Sequence, residues 1–154
     1  MSDTYLDSSL DKALAEQGEI VACSAGVSMY PMLRSKQDMI VVEVVNRELK
    51  KFDVPVYRLN SGKLVMHRIL KVRPDVYIIR GDNLFNKEYI KPEQIIGVLK
   101  AFYRGGKYYD CATSKKYKMY VYWRVYTFYF RVIWVKGVKR LLRPIKHLIF
   151  GKPE

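Results

Sequence analysis

The sequence predicts a mainly β fold of the α+β class: a small curled or barrel-like antiparallel β domain with a short N-terminal helix and a C-terminal amphipathic helical tail. Three observations support this prediction. Short apolar runs bounded by turn residues recur through 19–112, without the intervening helices of a parallel βαβ design. The first residues show a helical spacing of leucines, and a chain of 154 residues can bury one modest core. We therefore expect a helix in 1–18, a β domain in 19–112 and a basic aromatic tail in 113–154.

The N-terminal segment predicts a short amphipathic helix. Leu6, Leu10 and Leu14 recur every four residues and would share one face, and Gly18 supplies a stop signal. The segment contains acidic residues and no long apolar stretch, which differs from a secretory signal peptide and indicates a cytoplasmic start. We expect this helix to cover one side of the sheet.

Five apolar runs in the middle of the chain predict strands. Pro55 marks the edge or the start of its strand, because proline cannot donate a ladder hydrogen bond. Asn60-Ser61-Gly62 is a turn signal that joins two of the runs in a hairpin, and Arg73-Pro74-Asp75 turns the chain again. The predicted strands span 19–24, 39–44, 53–59, 63–72 and 76–80.

The segment between the first two predicted strands, 25–33, predicts a rigid bend that presents the hydroxyl of Ser28. Gly26 tolerates backbone angles that a residue with a Cβ would resist, and Pro31 fixes φ and supplies no N–H. A rigid bend can present a nucleophile. A Gly-x-Ser sequence by itself is more often part of an ordinary surface loop, so the function of this bend depends on residues further along the chain.

Two further residues at strand edges complete a possible catalytic set. His67, one of two histidines, lies in the fourth predicted strand, and Asp82 follows the fifth in Gly81-Asp82-Asn83. A neutral imidazole can take the proton of a hydroxyl, and a carboxylate can orient the imidazole. Taken singly, His67 is more often structural and Asp82 an Asx-turn residue; together with Ser28 they predict a Ser-His dyad or a Ser-His-Asp triad. Glu88 is the alternative partner for His67.

Arg68 directly follows the histidine within the same predicted strand. Successive side chains of a strand point to opposite faces, so we expect Arg68 on the face opposite His67, either solvated or paired with an acid.

These segments resemble, in order and spacing, the signal peptidase I family of serine peptidases, which shares its fold with the peptidase domains of SOS-response repressors. The resemblance covers about residues 19 to 104. Most bacterial members carry a lysine where this chain has His67, whereas the endoplasmic-reticulum type, found also in archaea and some Gram-positive bacteria, carries histidine. The chain departs from the family at Gln37, where glycine is more common, and after Asn83, where a further acid or serine usually follows. The segments that carry the resemblance are Gly26-Val27-Ser28-Met29-Tyr30-Pro31-Met32-Leu33, Asp38-Met39-Ile40-Val41, His67-Arg68-Ile69, Gly81-Asp82-Asn83 and Ile95-Ile96-Gly97-Val98.

The resemblance implies a serine endopeptidase that cleaves a signal or leader segment from a precursor peptide, with small residues before the cleaved bond. We expect the backbone N–H of Ser28 to hold the oxyanion, and no cofactor or metal is expected. Only 27 residues precede Ser28, too few for the DNA-binding domain of a self-cleaving repressor. The alternative is an inactive, membrane-tethered peptide-binding module of the same fold. Residues expected to position the oxyanion and the substrate are Gly26, Val27, Met29 and Pro31.

The tail is basic and aromatic. Residues 101–154 carry 13 basic and two acidic side chains, against 15 and 13 in residues 1–100. Arginines interrupt the aromatic run 117–135, so a full membrane crossing is not expected. Arg124, Thr127 and Arg131 fall on one helical stripe with aromatic residues around the rest, a pattern typical of a helix lying in the bilayer interface. Residues expected to contact a membrane or a partner are Trp123, Arg124, Arg131, Trp134, Lys139, Arg140 and Arg143.

The sequence allows several binding partners for the tail. It could bind an anionic membrane surface or a protein partner, or pack on the protein's own core; nucleic acid is the least favoured. The family usually has an N-terminal membrane anchor, so either the tail replaces it or the enzyme acts inside the cell on a small precursor. A basic tail favours the cytoplasmic leaflet, so we expect a peripheral or monotopic protein with its active site on the cytoplasmic side.

Cys23 and Cys111 are too few for a disulfide framework, and no metal-ligand spacing surrounds them. We expect both to be free thiols.

Overall fold

The computed structural model describes residues 9–135 and 137, and its fold is the β-rich α+β class that the sequence predicts. Seven antiparallel strand pairings build two sheets, and helices lie before and after them. Within the described residues the two sheets do not close into a barrel. The elements are α1 (Ser9–Gln17), β1 (Glu19–Cys23), β2 (Met39–Glu43), β3 (Pro55–Arg58), β4 (Leu64–Met66), β5 (Arg68–Val72), β6 (Tyr77–Arg80), β7 (Glu88–Ile90), a 3₁₀ turn (Pro92–Gln94), β8 (Ile95–Arg104), β9 (Lys107–Asp110) and α2 (Lys115–Tyr126).

The long strand β8 organises the larger sheet. β2 pairs along one side of β8, while β3 and then β9 pair along the other. The sheet order is β1-β2-β8-β3-β4, with β9 attached to β8, and the smaller sheet has the order β5-β6-β7. Pro55 begins β3, where its missing N–H breaks no ladder inside the strand. Strands β7, β8 and β9 were not predicted as separate elements.

Helix α1 ends where the sequence predicts, because Gly18 adopts a φ of +75° and its N–H bonds to the carbonyl of Leu14 at 2.9 Å. Leu14 is buried and contacts the sheet at Gly97, where an added Cβ would lie 2.8 Å from Leu14 Cδ2. The prediction that α1 covers the sheet is therefore confirmed at Leu14. Leu6 lies outside the described residues.

The predicted strand 63–72 is two strands, and His67 stands between them. β4 belongs to the larger sheet and β5 to the smaller one, so the chain changes sheets at the histidine. The period-2 argument fails across such a break, and the expectation that Arg68 could be solvated is wrong: Arg68 is fully buried. Arg68 forms an ion pair with Asp82, which confirms the alternative expectation that it pairs with an acid.

A hydrophobic cluster joins the two sheets. Its buried members come from strands of both sheets and from the loop before β3. Burying each aliphatic or aromatic side chain contributes about 1.5–3 kcal/mol, so this cluster holds the sheets together beneath the histidine. The members are Leu49, Tyr57, Ile69, Ile79, Ile90 and Val98.

The chain forms two compact units, residues 1–119 and 120–154. The boundary lies inside α2, later than the start of the tail expected at residue 113. In the second unit the helical pattern continues past α2: residues 128–135 are helical, and Thr127 and Arg131 donate backbone hydrogen bonds to the carbonyls four residues earlier. No helix among the described residues has the length and apolar character needed to cross a bilayer. Lys139, Arg140 and Arg143 lie outside the described residues.

Candidate active site

The bend after β1 is held by the buried carboxylate of Asp38. Its oxygens accept hydrogen bonds from the backbone N–H of Arg34 at 2.7 Å and from the guanidinium of Arg34, also at 2.7 Å. Burial opposes the charge on Asp38, but these hydrogen bonds outweigh it and lower the pKa of Asp38. Ser24, at the start of the bend, is joined to its end. The Ser24 N–H donates to the Asp38 carbonyl at 2.8 Å, and the Ser24 hydroxyl donates to the Arg34 carbonyl at 2.9 Å. The predicted rigid bend is therefore present, with its two ends cross-linked.

Ser28 lies at the tip of this bend and lines a small pocket. Met66, the residue before His67, lines the same pocket, as does Ile40 of β2. Gly26 has a φ of +82°, which a residue with a Cβ rarely adopts. The Ser28 hydroxyl and the Ser28 N–H make no hydrogen bond within the described part of the chain, so both can receive a ligand.

The other residues predicted to position substrate divide between pocket and surface. Gly26 and Met29 line the pocket, and Met29 is buried. Val27 is 64% exposed, and its carbonyl accepts a hydrogen bond from the Asn83 side chain at 3.2 Å. Pro31 follows a cis peptide bond, and its carbonyl accepts a hydrogen bond from Arg104.

The Gly81-Asp82-Asn83 turn lies directly against the serine bend, the segment 25–33 that carries Ser28. The Asn83 N–H donates to the Ser28 carbonyl at 2.7 Å. A Cβ at Gly81 would lie 2.8 Å from the same carbonyl, so only glycine permits this approach. In the β5–β6 ladder Arg68 pairs with Arg80, so the next residues outward, His67 and Gly81, are neighbours. The turn therefore contacts the backbone of Ser28 and follows the strand that pairs with the strand after His67.

Gly81→Ala is expected to displace the serine bend. The clash is with a backbone atom, which has no rotamer to relieve it, and overpacking of this kind costs about 1–3 kcal/mol. Chemical denaturation should show this loss, and Ser28 should react more slowly with a serine-directed probe. Gly137→Ala is the matched control, because an added Cβ there meets nothing within 4 Å. Wild-type stability in Gly81→Ala would contradict the close packing.

His67 is 3% exposed and is held through one ring nitrogen. Its Nδ1 lies 2.8 Å from the Tyr57 hydroxyl and 3.4 Å from Glu88 Oε2, and the Tyr57 hydroxyl bonds to Glu88 Oε2 at 2.6 Å. The other nitrogen, Nε2, is buried without a hydrogen-bond partner among the described residues. Buried polar atoms are rarely left in this state, so Nε2 is the ring nitrogen that no described protein group engages.

The hydrogen-bond inventory assigns the tautomer. The nearby His67 lowers the pKa of Glu88 despite its partial burial, and the hydrogen bond from Tyr57 adds to this effect, so Glu88 is an acceptor. Tyr57 has one hydroxyl proton; burial first, then its bond to Glu88, raises the pKa of Tyr57, which keeps that proton on its oxygen. The phenol donates to Glu88, and His67 Nδ1–H then donates to the phenol oxygen. Nε2 carries the lone pair, which is the form a general base requires.

The structure places Asp82 away from the hydrogen bonds of His67, which differs from the triad arrangement and agrees with the alternative partner Glu88. Asp82 pairs instead with Arg68: Nε and Nη2 of the guanidinium lie 2.8 and 2.7 Å from the two carboxylate oxygens. Burial opposes the charge of Arg68, but the attraction of Asp82 outweighs it and raises the pKa of Arg68. Arg68 also bonds to the Tyr117 hydroxyl at 2.8 Å and reaches Met32 of the serine bend. Asp82 therefore serves a buried structural ion pair.

Glu88, the alternative partner, lies near His67 Nδ1, and the hydroxyl of Tyr57, a residue that the sequence analysis did not single out, bonds to both side chains. Tyr57 lies in an apolar β-run and is fully buried. A buried tyrosine normally finds a hydrogen-bond partner for its hydroxyl. That rule could have marked Tyr57 as part of a buried polar network, although it could not have named the partners.

Both cysteines are free thiols, as predicted. Burial raises the pKa of Cys111 to about 12, so this thiol is protonated and unreactive at neutral pH. No group of three or more metal-ligating side chains occurs in the part of the chain that the structure describes.

Comparison with known proteins yields no assignment: no family model matches the sequence, and no curated protein matches it significantly.

Glu88→Gln is expected to make the protein less stable at neutral pH than the wild type. Because the folded-state pKa of Glu88 is lowered, its stabilising contribution is complete above the unfolded value, about 4.3, and is lost as the pH falls through the lower folded value. Urea unfolding from pH 7 to pH 3 should therefore show a constant difference between the two proteins that shrinks below about pH 4. A difference that persists at pH 3 would contradict the ionised role of Glu88.

Proposed function

We propose that this protein is a serine endopeptidase in which Ser28 is the nucleophile, His67 is the general base, and Tyr57 and Glu88 orient the histidine. The observation that carries the proposal is the state of His67: Nδ1 is engaged, while Nε2 is buried without a partner. The Gly81 turn contacts the Ser28 carbonyl, and the Ser28 hydroxyl and N–H make no hydrogen bond among the described residues. A histidine held through one ring nitrogen, together with a hydroxyl on a rigid turn, suits acyl transfer.

The reaction begins when Ser28 Oγ attacks the substrate carbonyl and its proton passes to His67 Nε2. The positive charge on the imidazole is stabilised through Nδ1–H by Tyr57 and Glu88. The Ser28 N–H donates to the oxyanion of the tetrahedral intermediate, a contribution of about 3 kcal/mol. His67 then returns the proton to the departing amine, the peptide bond breaks, and Ser28 holds an ester. Water, deprotonated by the same nitrogen, hydrolyses that ester and restores the serine.

The substrate class rests on the resemblance to signal peptidase I together with the form of the pocket. Ile40, Met66 and Met29 give it apolar walls next to Ser28. Such walls suit a small apolar side chain before the cleaved bond and exclude a charged one. We therefore propose that the substrate is a precursor whose signal or leader segment ends in small residues.

A fluorophosphonate probe tests the proposal without a known substrate, because it reacts with activated serines. The probe should modify wild-type protein once, and peptide mapping should locate it at Ser28. Ser28→Ala protein should remain folded by circular dichroism and remain unmodified. Ser61→Ala is the matched control, since Ser61 is an exposed turn residue, and it should be modified as the wild type is. Modification of folded Ser28→Ala at another serine would overturn the assignment.

One observation favours a second candidate, a catalytically inactive peptide-binding module of the same fold. Ser28 Oγ makes no hydrogen bond to His67 Nε2, since Nε2 has no partner in the described structure. Catalytic hydrogen bonds are often long before substrate binds, so this alone does not exclude an enzyme. Folded wild-type protein that stays unmodified by the probe, yet binds peptides with small apolar residues, would select this second candidate.

A further inference from the structure

The helical residues of the second unit expose aromatic side chains where a surface helix normally exposes polar ones. Trp123, Phe130 and Trp134 are 54%, 76% and 74% exposed, while Val121 and Phe128 are buried. An exposed apolar surface of this extent on a helix marks an interaction site. The aromatic face, as we define it, comprises Tyr122, Trp123, Tyr126, Phe130, Ile133 and Trp134.

These residues form one continuous stripe. Their spacings of three, four, seven and eleven residues place them on the same side of an α-helix. The helical hydrogen bonds from Thr127 N to Trp123 O and from Arg131 N to Thr127 O, both 3.0 Å, keep the register through the end of α2. Tyr122 and Tyr126 stack with ring centroids 6.0 Å apart, which widens the stripe into a flat aromatic surface.

The charges near the stripe indicate its ligand. No acidic residue occurs between Asp110 and Glu154, whereas the sequence after the stripe carries Lys136, Lys139, Arg140, Arg143 and Lys146. Basic residues next to an apolar helix face complement anionic lipid headgroups. Tryptophan and tyrosine prefer the boundary between headgroups and acyl chains, because one end of each ring system is apolar and the other is polar.

The arrangement fits nucleic acid less well than a membrane. Binding to single-stranded nucleic acid needs cations interleaved with the aromatic rings on one face. Here the stripe contains no lysine or arginine between Tyr122 and Trp134, and Arg124 and Arg131 lie off it and are only partly exposed. Arg131 instead lies over the ring of Phe128, 5.8 Å from its centroid.

We propose that the aromatic face docks the protein on an anionic lipid bilayer, lying in the interface without crossing it. This inference is independent of the peptidase proposal, because it uses neither Ser28 nor His67. The aromatic rings enter the headgroup boundary, and the basic sequence that follows binds the anionic headgroups.

The tryptophans of the chain provide the test, because both of them, Trp123 and Trp134, lie on the aromatic face. Vesicles of phosphatidylcholine with one quarter phosphatidylglycerol should shift the tryptophan emission of the full chain to shorter wavelength. Lipids brominated near the headgroup should quench it. Trp123→Phe and Trp134→Phe each leave a single reporter, and both should respond. Emission that is unchanged by anionic vesicles would overturn the proposal.

Flotation with the same vesicles measures how much each side chain contributes to vesicle binding. Trp123→Ser and Trp134→Ser should each weaken vesicle binding about tenfold, since burial of one aromatic ring contributes at least that factor. Replacing Lys139, Arg140 and Arg143 by glutamine should weaken it about 100-fold in total. Tyr89→Ser, which removes an aromatic ring that is 64% exposed on β7, is the matched control and should float as the wild type does.

Three outcomes would overturn membrane docking. Equal flotation with pure phosphatidylcholine would remove the electrostatic part of the argument. Loss of binding in Tyr89→Ser to the same extent as in Trp134→Ser would show that the aromatic face is not the contact. A blue shift produced by single-stranded DNA, or by self-association at high protein concentration, with none from anionic vesicles, would assign the face to that ligand instead.

Discussion

Replacing His67 with alanine is expected to slow the reaction of Ser28 with a fluorophosphonate by about 10²- to 10⁴-fold, the usual contribution of a positioned general base. The physical reason is the tautomer that the surroundings impose. Nδ1–H donates to Tyr57, so the only basic position is Nε2, which is buried and has no other hydrogen-bond partner in the described structure. Without that nitrogen the serine hydroxyl keeps its proton.

Alanine also removes a buried side chain, so a second variant must separate chemistry from folding. His67→Gln keeps a polar group near Tyr57 and fills most of the volume, but it has no basic nitrogen. It should unfold at a denaturant concentration closer to that of the wild type and still react slowly. Wild-type reactivity in a folded His67→Gln protein would refute the role of His67 as base.

His67→Lys addresses the chemistry of the family that the sequence resembles, in which lysine usually supplies the base. A buried lysine is expected to have a lowered pKa and can act as a base in its neutral form. Partial recovery of the labelling rate over His67→Ala, with an optimum at higher pH than in the wild type, is expected.

Removing Asp82 is expected to cause the largest loss of stability, about 3–5 kcal/mol for Asp82→Ala, because it leaves the guanidinium of Arg68 buried and unpaired by a carboxylate. Arg68 is fully buried and forms two short bonds to Asp82. Its remaining contacts connect the serine bend at Met32, the carbonyl of Phe52 and the hydroxyl of Tyr117. Equilibrium unfolding in urea measures the loss.

The double variant Arg68→Met with Asp82→Leu is the control. Replacement of both members of a buried ion pair by apolar residues is often close to neutral, so the double variant should be more stable than Asp82→Ala alone. Additive losses in the two single variants, with no recovery in the double, would contradict the pairing.

The same variants distinguish a structural Asp82 from a catalytic one. If Asp82 acts only through Arg68, the folded double variant should label Ser28 at a rate close to that of the wild type. Loss of labelling in a stable double variant would return Asp82 to the catalytic set and weaken the role assigned to Glu88.

Several elements could be read from local pattern because their causes are local. The leucine spacing and Gly18 predict α1 and its end, Pro55 marks the start of β3, and the glycine and proline of the serine segment predict a rigid bend. The break at His67 has no local signal, since residues 63–72 read as one β-rich run. Its first half pairs with β3 in the larger sheet, and its second half pairs with β6 in the smaller one. Those pairing partners are set by the tertiary fold and leave no mark in the run itself.

By itself the sequence determined the β-rich class, the presence of a serine on a stiff turn followed by a histidine and two acids, and the excess of positive charge after residue 100. The tertiary structure alone decided which acid lies beside the histidine: Asp82 pairs with Arg68, whereas Glu88 lies near Nδ1 together with Tyr57. It also decided that the aromatic side of the C-terminal helix is exposed. The first outcome depends on the register between distant strands, because a one-residue shift of a strand moves every side chain to the opposite face. Composition and spacing along the chain carry no record of that register.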